Sequence, residues 1–142
     1  MGATTRTHYF SVDSRNRDTT AFPSSSSYQT ELPEPLRNII SVELVYASFE
    51  KLGTENYVNL HVEELVPNLL ANANGLNGVF AQLPCIASGT NEYTQDMFRS
   101  IKTFEPMCSQ LARMRIRFLD HAGVVASTMS DHFLRFEITC RG

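Results

Sequence analysis

Apolar and polar residues alternate along most of this chain in short runs of period two. That is the spacing of strands, whose successive side chains point to opposite faces. The first run is His8-Tyr9-Phe10-Ser11-Val12. A second places Tyr28, Thr30 and Leu32 on one side and Gln29 and Glu31 on the other. Pro33 and Pro35 are expected to end it, because proline has no amide proton to give a ladder. The strongest β signal spans residues 38–50, rich in β-branched and aromatic side chains, with Val42, Leu44 and Tyr46 on one face and Glu43 on the other. From Tyr57 to Glu63 the pattern turns Val58, Leu60 and Val62 inward and Asn59, His61 and Glu63 outward. A short strand over 79–83 closes at Pro84, and another over 101–104 ends before Pro106, with 107–112 as a connector. Met114, Ile116 and Phe118 then point inward, alternating with Arg113, Arg115 and Arg117. Asp120-His121-Ala122-Gly123 is a hairpin-type turn from which Val124-Val125-Ala126 starts back. The closing strand carries Leu134, Phe136, Ile138 and Cys140 on one face.

Between these runs, residues 19–27 and 88–100 read as loop. Residues 66–75 form a long connection with room for one helical turn before Asn74-Gly75. No long amphipathic helix and no fixed-period repeat interrupts the pattern. About eight short antiparallel strands joined by Pro-, Gly- and Asn-rich loops predict an all-β sandwich or barrel, with the sandwich favoured. One domain over 1–142 is expected, with residues 1–7 as a candidate extended N-terminal arm.

Composition narrows the classes. With 42% apolar and 19% charged residues, the 142-residue chain is too hydrophobic for a disordered one. The formal net charge of −3 argues against nucleic acid as the main partner. Cys85, Cys108 and Cys140 are odd in number, widely spaced and without zinc-ligand spacing, so they read as free buried thiols in a reducing compartment. The opening residues lack the apolar core of a signal peptide, and Arg6 stands where a myristoylation signal needs Ser or Thr. A soluble protein made in the cytoplasm is expected.

Reactive constellations are absent from the sequence. There is no nucleophile elbow, zinc-protease helix, phosphate-cradling loop or dinucleotide fingerprint. The four histidines, His8, His61, His121 and His132, are isolated and read as surface or turn residues. Glu63 and Glu64 are adjacent, so a strand would separate them and a joint role is discounted. Two charged features remain. In the loop Asp13, Ser14, Arg15, Arg17, Asp18, arginines occupy alternate positions where calcium would need oxygen ligands. It reads as a structural loop, its Asp and Ser bonding nearby amides and one arginine pairing with a carboxylate. The ladder Arg113, Arg115, Arg117 spans about 13 Å at the strand rise of about 3.3 Å per residue. It reads as a solvated face or a protein contact face. No catalytic, metal or cofactor site is expected.

The order of these segments resembles a known family. Residues 9–18 (Tyr-Phe-Ser-Val-Asp-Ser-Arg-Asn-Arg-Asp), Phe22-Pro23, 27–33, 35–44, 57–65, 79–84, 111–118 and 131–139 together resemble small proteins of nucleocytoplasmic large DNA viruses. Those proteins carry an Asp-Ser-Arg-x-Arg-Asp loop and a Leu-Pro-x-Pro-Leu turn. Ile39-Ile40 departs from the usual Asn-Val pairing there, and His121-Ala122 from the usual acidic residue before Gly. The resemblance implies a single jelly-roll β-sandwich serving as a minor capsid protein of an icosahedral shell. It implies contacts with the major capsid protein and other minor capsid proteins, in multiple copies per particle, located in the virion and assembled in the host cytoplasm. No direct nucleic acid binding and no membrane insertion are expected, although contact with a protein of an internal membrane layer is compatible with it. The alternative is a carbohydrate- or receptor-binding jelly roll on the virion, with Tyr57, Asn59 and Tyr93 as its available surface cluster.

Overall fold

Two strands far longer than the sequence pattern suggests set the architecture. In a computed structural model, which describes residues 4–51, 53–65, 78–85, 88–96, 99–126 and 129–141, seven strands and one 3₁₀ turn are present. They are β1 (Thr5–Asp13), the 3₁₀ turn Ser14–Asn16, β2 (Ser27–Glu50), β3 (Tyr57–Val62), β4 (Ala81–Pro84), β5 (Thr90–Thr94), β6 (Ser100–Leu119) and β7 (Phe133–Arg141). All pairings are antiparallel, in the order β1-β7-β2-β6-β3-β4, with β5 against the C-terminal end of β2. Residues 5–7 of the candidate arm are the start of β1, paired with Thr139–Arg141 of β7. The long connection 66–75 lies outside the described residues.

β2 has 24 residues and β6 has 20, against the usual 3–10. Strands that long stay in one domain only by bending, and the register shows where they bend. Glu31 pairs with Arg113 and Leu36 with Leu111, so Leu32–Pro35 bulge out of β2. Ile39 pairs with Cys108 and Ser41 with Thr103, so Phe104–Met107 bulge out of β6. Bulges bend and twist a ladder locally. The same strand pair therefore serves β3 and β4 at one end and β7, β1 and β5 at the other.

The sheet curls over on itself. Phe80, just before β4, packs on Phe136 of β7, ring centroids 6.1 Å apart, although β4 and β7 are far apart in strand order. One core fills the space, built from Val58, Leu60 and Val62 of β3, Met114, Ile116 and Phe118 of β6, Leu134, Phe136 and Ile138 of β7, and the inward residues of β2. The result is the all-β antiparallel sandwich of jelly-roll type. Among the described residues no helix is long and apolar enough to cross a membrane.

Several local expectations are corrected. Pro33, Pro35 and Pro106 do not end strands; they sit in the two bulges, where a missing amide proton costs no ladder bond. Residues 101–118 are accordingly one strand rather than two and a connector. β5 lies inside the expected loop 88–100, with Asn91 and Tyr93 turned inward. The return after Gly123 is a single bridge between Leu119 and Val125. Tyr46 is not on the face of Val42 and Leu44. Leu44 pairs with Phe136 but Tyr46 with Arg135, so Val45 is an extra residue and the inward parity passes to Ala47 and Phe49.

Candidate functional site

The charged loop after β1 is tied to a segment more than a hundred residues away. Asp13 caps the 3₁₀ turn: its Oδ1 accepts from the Arg15 amide at 3.0 Å. The Arg15 guanidinium grips the same carboxylate, Nη2 to Oδ2 2.6 Å, and holds it below the usual carboxylate range. Arg17 turns the other way and is nearly enclosed, its side chain 12% exposed. It donates to the carbonyls of Ser14 (2.7 Å), Phe22 (3.0 Å) and Pro23 (3.0 Å) and reaches Asp131 at 3.3 Å. The Arg17 amide also donates to the Ser14 carbonyl, at 3.3 Å, so backbone and guanidinium of one residue together close the loop. Asp18 Oδ1 accepts from the amides of Thr20 and Ala21.

Ser14 is fully buried and joins the loop to the segment that leads into β7. Its hydroxyl donates to Asp131 Oδ1 at 2.9 Å and accepts from the His132 amide at 2.9 Å, while its own amide donates to the His132 carbonyl. The His132 ring lies between Tyr28 and Phe118, ring centroids 5.5 and 4.3 Å away. Its Nε2 is 2.7 Å from the Tyr28 hydroxyl and its Nδ1 is 3.4 Å from the Ser130 carbonyl. A carbonyl can only accept, so Nδ1 carries the proton and Nε2 accepts from Tyr28. Burial pushes His132 down to about 4 and keeps it neutral, and burial likewise pushes the Tyr28 phenol up. The Ser25 hydroxyl donates to the Met129 carbonyl beside it.

Serine, histidine and aspartate thus meet here, but not as a nucleophile and its base. The Ser14 proton goes to Asp131, and the histidine ring faces Tyr28 rather than Ser14. A cleft of about 240 Å³ opens alongside, lined in part by Asp13, Arg15, Glu50, Asp131 and His132. The arrangement can hold two distant segments together, with the Ser14 hydroxyl and the His132 ring both engaged in doing so. His132 also corrects the reading of all four histidines as surface or turn residues, since it is 4% exposed.

The arginine ladder lies on the outer face of β6. Arg113, 64% exposed, is 3.9 Å from Glu64. Arg115 donates to Ser27 Oγ at 3.2 Å and sits over the Phe22 ring at 4.9 Å. Arg117 stands between Ser27 of β2 and His61 of β3. Its charge, together with burial as the larger cause, lowers the His61 pKa. The structure therefore keeps the three guanidinium groups on one face but engages them unequally.

Glu64, discounted in the sequence, lies just past the end of β3. Its Oε1 accepts from the Arg115 amide at 2.7 Å, continuing the β6 ladder with a side chain. Glu43 is also buried, its carboxylate clasped by Arg99 at 2.7 and 3.0 Å. Neither partnership has a local sequence signal. The surface cluster expected for a sugar site is not there, because Asn59 and Tyr93 are fully buried. Asn59 spends its amide on the carbonyls of Leu119 and Asp120. Of the three cysteines, Cys85 and Cys140 are buried and Cys108 is half-buried.

No family model matches the chain. It is similar to "Penton capsid protein P1" of Paramecium bursaria Chlorella virus 1, with 27% identity over 144 residues, 96% of this chain and 85% of that protein. That homologue is a capsid protein of a large DNA virus, and the likeness runs through nearly the whole chain. It supports the resemblance to the capsid proteins of such viruses, a structural role in the capsid and a place in the virion.

Proposed function

We propose that this chain, a homologue of a large-DNA-virus capsid protein, is a minor capsid protein at the vertices of an icosahedral shell, contacting major capsid capsomers and other minor capsid proteins. One observation carries the vertex assignment: the relative matched along 96% of this chain is named a penton capsid protein. The fold suits the role. A curled sheet with a continuous core is stiff, and it leaves loops and bulges outside for contact. The exposed β2 and β6 bulges, Pro33–Pro35 and Glu105–Met107, are two such projections, and the arginine face Arg113–Arg117 is a third surface. The loop Asp13–Asp18 serves as an internal clamp that fixes the approach to β2. Mild, graded disruption of purified virions followed by mass spectrometry tests the assignment. The chain should be present well below the major capsid protein in amount and should leave with the vertices, before the facets open. Its absence from virions, or its release in step with facet proteins, contradicts it.

A further inference from the structure

The outer face of the β1-β7-β2 layer carries a cleft of about 460 Å³ lined by Tyr9, Val45, Tyr46 and Arg135. The bulge at Val45 creates it, by turning Tyr46 outward beside Arg135 and Ser11 in a row across three strands. Tyr9, one row along, is 64% exposed, the most exposed large apolar side chain among the described residues. Tyr46 is held in place: its hydroxyl donates to Glu92 at 3.2 Å and its ring lies 6.1 Å from that of Phe133. Arg135 stacks over the same Phe133 ring at 5.5 Å, yet its guanidinium has no hydrogen bond or ion pair among the described residues. Of the glutamates nearby, Glu43 is engaged by Arg99 and Glu92 by Tyr46, while Glu137, opposite Tyr9 and two residues along β7 on the same face, forms no ion pair with Arg135 among the described residues. Tyrosines beside an arginine on a stiff sheet have the composition of binding hot spots, and ordered rings lose little freedom on binding.

We propose that this cleft docks an extended acidic–apolar segment of a neighbouring protein, an apolar side chain entering between Tyr9 and Tyr46 and a carboxylate reaching Arg135. The charge specifies the partner: five N–H donors with no acceptor call for a carboxylate, and a planar one can be met bidentately. A neutral sugar fits less well, because it brings no negative charge to the Arg135 guanidinium. The proposal rests on the structural reading above only in taking the neighbour to be a protein.

Titrating the intact chain with a capped five-residue peptide alternating leucine and aspartate tests it, observed by NMR at the Arg135 side chain and the tyrosine rings. The controls are the same peptide with asparagine for aspartate, and lactose. Both groups should shift saturably with the acidic peptide, and binding should weaken about fivefold with the asparagine peptide, the size of one exposed ion pair. Arg135→Gln should abolish that preference and Tyr9→Ala should weaken both peptides; both side chains are exposed, so the fold survives either change. No response, an equal response to both peptides, or a stronger response to lactose overturns the proposal. None of these results bears on whether the chain is found in virions, so the two readings fail separately.

Discussion

His132 is neutral inside the protein because enclosure of the ring outweighs the opposing pull of the Ser130 carbonyl and the Asp131 carboxylate. Its folded pKa of about 4 lies below the ordinary 6.5. Between those values the unfolded chain takes up a proton that the folded chain refuses. Stability is therefore full above about pH 6.5 and falls as the pH drops toward 4, by about 3 kcal/mol in all. Urea midpoints measured across that window should decline, and His132→Gln should flatten the decline. An equal slope in the variant contradicts the assignment. The two arginines of the loop make a sharper pair. Arg15 is 72% exposed and holds one carboxylate, so Arg15→Ala should cost under about 1 kcal/mol. Arg17 is 12% exposed and satisfies three carbonyls, so Arg17→Ala should cost about 2–4 kcal/mol. Denaturant unfolding of the two variants checks the order. The sequence already shows that Asp13–Asp18 is a polar turn, because Asp and Ser next to alternating charges bond locally. It cannot show that Ser14 meets Asp131 and His132, since nothing local to position 14 points to a partner 117 residues away.

Proline and left-handed backbone decide how β2 and β6 turn the corner of the sandwich. Pro33 and Pro35 lie where β2 has no ladder partner, so Pro33→Ala and Pro35→Ala should each change stability by under about 1 kcal/mol. A proline at Val42, which pairs with strands on both sides, should cost about 3 kcal/mol or more. Between the bulges, Asn38 has φ 54°, a conformation asparagine tolerates and a β-branched residue does not. Asn38→Gly should therefore be neutral within about 0.5 kcal/mol, whereas Asn38→Val should cost about 1–2 kcal/mol. Thermal unfolding of the pair checks this, and equal effects would contradict the left-handed assignment. β7 is legible in the sequence because it is covered on one face and keeps strict alternation, and β3 is legible from Val58, Leu60 and Val62 even though Asn59, expected outward, is fully buried. β5 is not, because only Asn91 and Tyr93 of its five residues are buried and Asn91 is polar. β2 and β6 are legible only in pieces, since proline reads as a strand end unless the bulge that shelters it is known. Tyr46 is misplaced for the same reason: one extra residue at Val45 exchanges the two faces, and period-two reasoning has no way to detect it.

At the scale of the whole molecule, the core and the contacts have separate origins. The all-β sandwich follows from alternation, turn residues and the two bends, and it is a fold that serves many functions. The capsid role follows from the ordered likeness along the chain and from its penton relative. What the fold adds is the placement of contact surfaces. The bulges, the arginine face and the tyrosine cleft are all displayed by the outer sides of a curled sheet, and none competes with the core. A cryo-EM reconstruction of the intact virion tests the central claim most directly. Density matching the curled seven-stranded sandwich should occupy the vertices, with the bulges, the arginine face or the tyrosine cleft against neighbouring chains. A shell whose vertices are built from other chains, with no such sandwich anywhere in it, would contradict the capsid assignment itself.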